Sequence, residues 1–152
     1  MSMKTVSRYI GIVAGLSIIT CAAPLFAAKQ CYAPDARAKE RAFSRAVTTE
    51  GGKVLWLGGQ TASLPPNPDF DAQVRDVFAS LDKTLKAQGG SLKDIVTMTV
   101  FITDARNGDR FVALRKEAFK ECFPASALIT VTGLAVPGLL VEVQGIAVVG
   151  GK

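Results

Sequence analysis

Apolar positions along this chain change period several times, and each change marks an expected element. Residues 41–48 alternate, with Phe43, Arg45 and Val47 on one face and Ala42, Ser44, Ala46 and Thr48 on the other, as a strand requires. A turn at Thr49, Glu50, Gly51 and Gly52 leads to a second apolar strand at 53–59, so residues 41–59 are expected to form a hairpin. The prolines of 64–68 exclude helix and make a rigid connection. Asp69 then caps a helix whose Phe70, Val74, Val77, Phe78, Leu81 and Leu85 recur at three- and four-residue steps, and Gly89 and Gly90 stop it. Residues 95–102 are rich in β-branched side chains and too short for an independent helix, which predicts a central strand. A second helix follows the Asn107, Gly108, Asp109 turn, with Phe111, Leu114, Arg115, Ala118 and Phe119 on one face. Residues 123–149 read as two apolar strands joined through 133–138, and residues 29–38, with little periodicity, read as a surface lead-in.

The order is strand, strand, helix, strand, helix, strand, strand, an α+β pattern. Its economical packing is one mixed sheet with two helices on one face. Trp56, Met98 and the 139–149 run supply more apolar positions than two helices cover. An uncovered apolar sheet face of that kind predicts self-association.

Composition narrows the setting. Lys4 and Arg8, an apolar stretch at 9–19 and small residues at 22–28 have the layout of a secretory signal peptide, which leaves 29–152 as one domain and predicts a periplasmic or secreted protein. The apolar stretch falls short of the roughly 20 residues of a membrane-spanning helix. Without 1–28 the formal charge drops from +5 to +3. The basic residues are scattered, densest at Arg37, Lys39, Arg41 and Arg45, with no interleaved aromatics for stacking bases; a solvated face is expected rather than a nucleic-acid surface. The chain has no histidine, so imidazole bases and His-dependent triads are excluded. Cys31 and Cys122 would remain after cleavage, and an oxidising compartment permits a bridge between them, which spacing alone does not decide.

Three residues resist a purely structural reading. Glu142 lies inside the most apolar run, where a carboxylate costs several kcal/mol unless bonded, paired or protonated. It points out of an edge strand, accepts bonds from loop amides, or belongs to a site. Gly59 closes a strand, where glycine marks a bulge, a close backbone approach or an ordinary strand exit. Arg115 interrupts an apolar helix stripe and either snorkels past the core rim or serves a ligand.

Read as an ordered set, several pieces of 43–149 resemble the reactive intermediate deaminase family, also called RidA or YjgF. They are Gly59-Gln60, Leu81 with Gly89-Gly90, Asp94-Ile95-Val96, Thr99-Val100-Phe101, Phe123-Pro124-Ala125, Val141-Glu142-Val143 and Ile146-Ala147-Val148. The resemblance implies a chorismate-mutase-like fold, a homotrimer with ligand clefts between subunits, and hydrolysis of imines or enamines to a carbonyl compound and ammonia without metal or organic cofactor. Carried over by position, Glu142 matches the family's water-positioning glutamate and Gly59 its ligand-contacting glycine. The family's carboxylate-gripping arginine is Ser126 here, its tyrosine is Phe43, and a nearby cysteine is Leu128. Replacing a two-pronged guanidinium by a hydroxyl removes the main anchor of the usual substrate.

Two readings stay open. One is a metal-independent imine or enamine hydrolase in which Glu142 activates water and another cation, Arg115 being the candidate, meets a non-standard substrate. The other is a non-catalytic trimer whose clefts bind a small metabolite or a protein. Neither involves nucleic acid, or a membrane once the leader is removed.

Overall fold

The computed structural model describes residues 29–150; the expected leader at 1–28 lies outside them. The main sheet has four strands in the order β3-β6-β4-β5: β3 (Lys53–Thr61), β4 (Ile95–Ile102), β5 (Ala125–Thr130) and β6 (Val141–Val149). β6 runs antiparallel to both β3 and β4, while β4 and β5 are parallel. Two helices, α2 (Phe70–Ala87) and α3 (Gly108–Phe119), connect β3 to β4 and β4 to β5. Asp69 caps α2 by accepting a bond from the amide of Ala72, as its position before the apolar stripe predicts.

Strand alternation decides what is buried. In β4, Met98, Val100 and Ile102 face the helices and are at most 1% exposed, whereas Thr97, Thr99 and Phe101 are half-buried on the other face. Val141 and Val143 of β6 join the same core with Val74, Val77, Leu81 and Leu85 of α2 and Phe111 and Leu114 of α3. Phe78 packs its ring 5.9 Å from Phe111 and 5.8 Å from Phe119, joining the two helices. Burial of each such side chain contributes roughly 1.5 to 3 kcal/mol. Gln73, fully buried, ties the start of α2 to the approach of β6: its Nε2 donates to the carbonyls of Asn67 and Gly138, and its Oε1 accepts from the amide of Leu140.

Several expectations are corrected. No hairpin forms over 41–59, because β3 pairs with β6. The alternation at 41–48 yields only β2 (Ala46–Thr48), which pairs with β1 (Gln30–Tyr32) in a separate two-stranded ribbon. The supposed lead-in therefore contains β1 and the short helix α1 (Ala36–Glu40), capped by Asp35, whose carboxylate accepts from the amide of Ala38. Beyond α1 the chain turns through Ala42 at φ 54°, a left-handed conformation that breaks an extended run. The two strands expected within 123–149 do form, as β5 and β6, with β4 between them in the sheet. Met98 belongs to the core; Trp56, 79% exposed, is what remains with Val54 and Ile129 on the face that no helix covers.

Cys31 and Cys122 are joined by a disulfide that fastens the ribbon to the loop between α3 and β5. Next to it, Ser44 donates its amide to the Pro124 carbonyl and its hydroxyl to the Phe123 carbonyl.

Candidate functional site

The residues singled out from the sequence fall into two groups on opposite faces of the sheet. The first is Glu142 with Gly59. Glu142 pairs across the sheet with Phe101 of β4 and Thr61 of β3, so it shares the face not covered by helices and is half-buried there. β6 is a central strand and the acid still avoids the core, because the two-residue period sends Val141 and Val143 inward and Glu142 outward.

Gly59 explains how the carboxylate is seated. Between Leu57, opposite Gly145, and Gln60, opposite Val143, β3 takes three steps against two on β6, a bulge. A Cβ on Gly59 would lie 2.0 Å from Oε1 of Glu142, so the carboxylate occupies the space that the missing side chain leaves. Gly58 meets nothing within 4 Å, which makes Gly59 the member of the pair that the packing requires. A depression of about 280 Å³ lies on the sheet over Gly145, between Trp56, Thr97, Thr99 and Gln144, and Glu142 is outside its lining.

The second group is Arg115, Ser126, Phe43 and Leu128. Ser126 pairs with Met98, so its side chain shares the helix-covered face. The guanidinium of Arg115 reaches it from α3: Nη1 donates to Ser126 Oγ at 2.6 Å and Nη2 to the Arg41 carbonyl at 2.7 Å. Arg115 is 2% exposed, so it does not snorkel, and its Nε has no hydrogen-bond partner among the described residues. The Phe111 ring lies 5.3 Å from its charged end. Burial, and after it the positive charge of Arg41, brings the Arg115 pKa down from the usual guanidinium range to about 10. A cavity of about 260 Å³ opens here, lined by Arg37, Arg41, Phe43, Arg115, Ser126 and Leu128 together with Val112.

Phe43, Ser126, Leu128 and Arg115 are thus brought together, and Gly59 with Glu142, but one chain does not join the two groups. Arg37 and Arg41, part of the run expected to be a solvated face, line this cavity. Their four-residue spacing was the available signal, since it places both side chains on one side of a helical turn. Arg41 also pairs with Asp109 at the start of α3. Among the described residues no cluster of acidic or cysteine side chains is arranged to hold a metal ion.

Comparison with known proteins gives this geometry its context. The family model described as Endoribonuclease L-PSP matches residues 33–149. The RutC family protein YjgH of Escherichia coli K12 is 34% identical over 113 residues, which is 71% of this chain and 83% of that one. A Yersinia pestis protein of the conserved Rid family, YyfB, superposes with a TM-score of 0.72 at 25% identity, covering 80% of this chain and 98% of its own. Rv2704 of Mycobacterium tuberculosis, a member of the YjgF/YER057c/UK114 family, superposes with a TM-score of 0.60 at 28% identity, covering 80% and 100%. The match spans the bulge at Gly59, both helices and the whole of β6, and by it this chain belongs to the RidA/YjgF family.

Proposed function

We propose that the protein is a metal-independent hydrolase of small imines or enamines, releasing a carbonyl compound and ammonia. Family membership supports a small-molecule or deaminase-type role, and the observation that carries the reading is the carboxylate of Glu142 seated in the gap at Gly59 on an accessible sheet face. In this reading Glu142 takes a proton from water as the oxygen adds to the C=N carbon, and the nitrogen gains a proton. Collapse of the resulting carbinolamine restores the C=O bond and expels ammonia. Since Glu142 and the Arg115 group face opposite ways, the reading calls for a site completed between copies of the chain, in keeping with a homotrimer assembled through the uncovered face around Trp56. Export through the 1–28 leader to the periplasm or beyond fits the Cys31–Cys122 disulfide. Cleavage of RNA, suggested by the family description, finds no support in the scattered charge or in a chain without histidine.

The test is ammonia release from an imine generated in situ by an amino-acid oxidase. Glu142→Gln is expected to lower the acceleration by about 100-fold or more, the usual contribution of a general base; unchanged turnover would remove Glu142 from the mechanism. The presence of Ser126 and Phe43 where the family carries arginine and tyrosine favours a second reading, a binding protein without turnover. Thermal stabilisation by oxo acids with no ammonia released from any imine would select it.

A further inference from the structure

The Arg115 cavity holds more positive charge than the fold neutralises. Arg115 is buried, and among the described residues no carboxylate lies within ion-pair distance of it. Its two protein acceptors, Ser126 Oγ and the Arg41 carbonyl, are uncharged, and its Nε is unpartnered. Removing a guanidinium from water is costly, and neutral acceptors and one aromatic face offset only a part of that cost. Arg41 and Arg37 line the same cavity, and the acid paired with Arg41 is Asp109, whose side chain is 90% exposed. Arg37 stands within the field of Asp35, but that carboxylate is already paired with Arg45. Four arginines thus face two partly exposed or exposed aspartates, and positive charge is left in excess around a small void with apolar walls at Phe43, Val112 and Leu128. Such a cavity suits an organic anion carrying more than one charge on a short carbon chain.

We infer that this cavity binds a small dicarboxylate, with Arg115 anchoring one carboxylate from α3 beside Ser126, and Arg37 and Arg41 of the α1 segment receiving the second. Ser126 acts as a positioning residue: its hydroxyl holds Nη1 and so fixes where the guanidinium stands. The lost strand arginine is thereby replaced by one from a helix. The inference rests on the hydrolase reading in one respect, that it names the substrate class as imines of amino dicarboxylic acids.

Calorimetric titration of the wild-type protein at low salt tests it, with succinate and 2-oxoglutarate against butyrate, 2-oxobutyrate and inorganic phosphate. The dicarboxylates are expected to bind about tenfold or more tightly than the monocarboxylates and phosphate, the difference that one charged hydrogen-bonded contact supplies. Arg115→Gln should abolish binding. Arg37→Ala, at an exposed position that the fold does not depend on, should weaken dicarboxylates about tenfold and leave monocarboxylates unchanged. Ser126→Ala should weaken both classes together. Equal affinity for mono- and dicarboxylates, tighter binding of phosphate, or an Arg37→Ala protein that binds dicarboxylates like wild type would overturn the inference. Glu142→Gln separates the two proposals: ammonia release lost with dicarboxylate binding intact supports both. A wild-type protein that binds dicarboxylates but releases ammonia from no imine sinks the hydrolase reading alone. Absent dicarboxylate binding in a wild-type protein that releases ammonia from imines sinks this inference alone.

Discussion

Gly59 and Gly145 show how two glycines of one sheet serve different ends. At Gly59 an added Cβ would meet the tip of the Glu142 side chain, which can swing away into solvent; at Gly145 it would lie 2.4 Å from the Thr97 carbonyl oxygen, which the sheet holds in place. Gly59→Ala is therefore expected to change stability by less than about 1 kcal/mol while displacing the carboxylate and lowering ammonia release at least tenfold. Gly145→Ala should cost about 1 to 3 kcal/mol through the overpacked strand pair. Urea unfolding of both variants, with an activity assay of the first, checks the contrast; a strongly destabilised Gly59→Ala would mean that the bulge, rather than the carboxylate, requires glycine.

Among the elements, the β1–β2 ribbon is the least self-sufficient, with three residues in each strand and its pairing separate from the main sheet. A two-stranded ribbon of that length is not stable alone. It is held by the bridge from Cys31 to Cys122, 91 residues apart, and by the bonds of Ser44 to Phe123 and Pro124. Closing a loop of that length contributes roughly 4 to 5 kcal/mol in the chain-entropy model. Replacing both cysteines by serine is expected to lower stability by an amount of that order and to speed amide exchange at Ala46–Thr48 more than in β4 or β6. Unchanged protection there would show that the Ser44 contacts suffice. Because α1 and Phe43 lie between β1 and β2, the bridge also keeps Arg37 and Arg41 beside Arg115.

For the whole molecule, the uncovered sheet face is the feature that a single chain leaves unexplained. On this face Trp56 at 79% and Val54 at 51% exposure stand on edge strand β3, and Ile129 at 41% on the opposite edge strand β5, apolar side chains left in contact with water. Trp56→Lys is expected to shift sedimentation from a trimer to a single chain and to remove imine turnover, since the proposed site needs parts from two copies. A wild-type protein that sediments as one chain would contradict the shared site.

Much of this was legible in the sequence because it depends on local periodicity. The 3.6-residue stripes of α2 and α3, the cap at Asp69, the β-branched run of β4 and the apolar run of β6 are each written in consecutive residues, and the ordered motifs around Gly59 and Glu142 carry the family. Strand partnership was not legible. Alternation at 41–48 is compatible with any neighbour, and whether β3 meets β2 or β6 depends on long-range pairing that no local pattern encodes. The same limit applied to the site. Sequence named Arg115 as a candidate cation in place of the arginine that Ser126 replaces, but could not place the two side chains together. Only the packing of α3 over β5 decided that they touch, because a hydrogen bond between residues on different elements exists only when the fold sets their faces together.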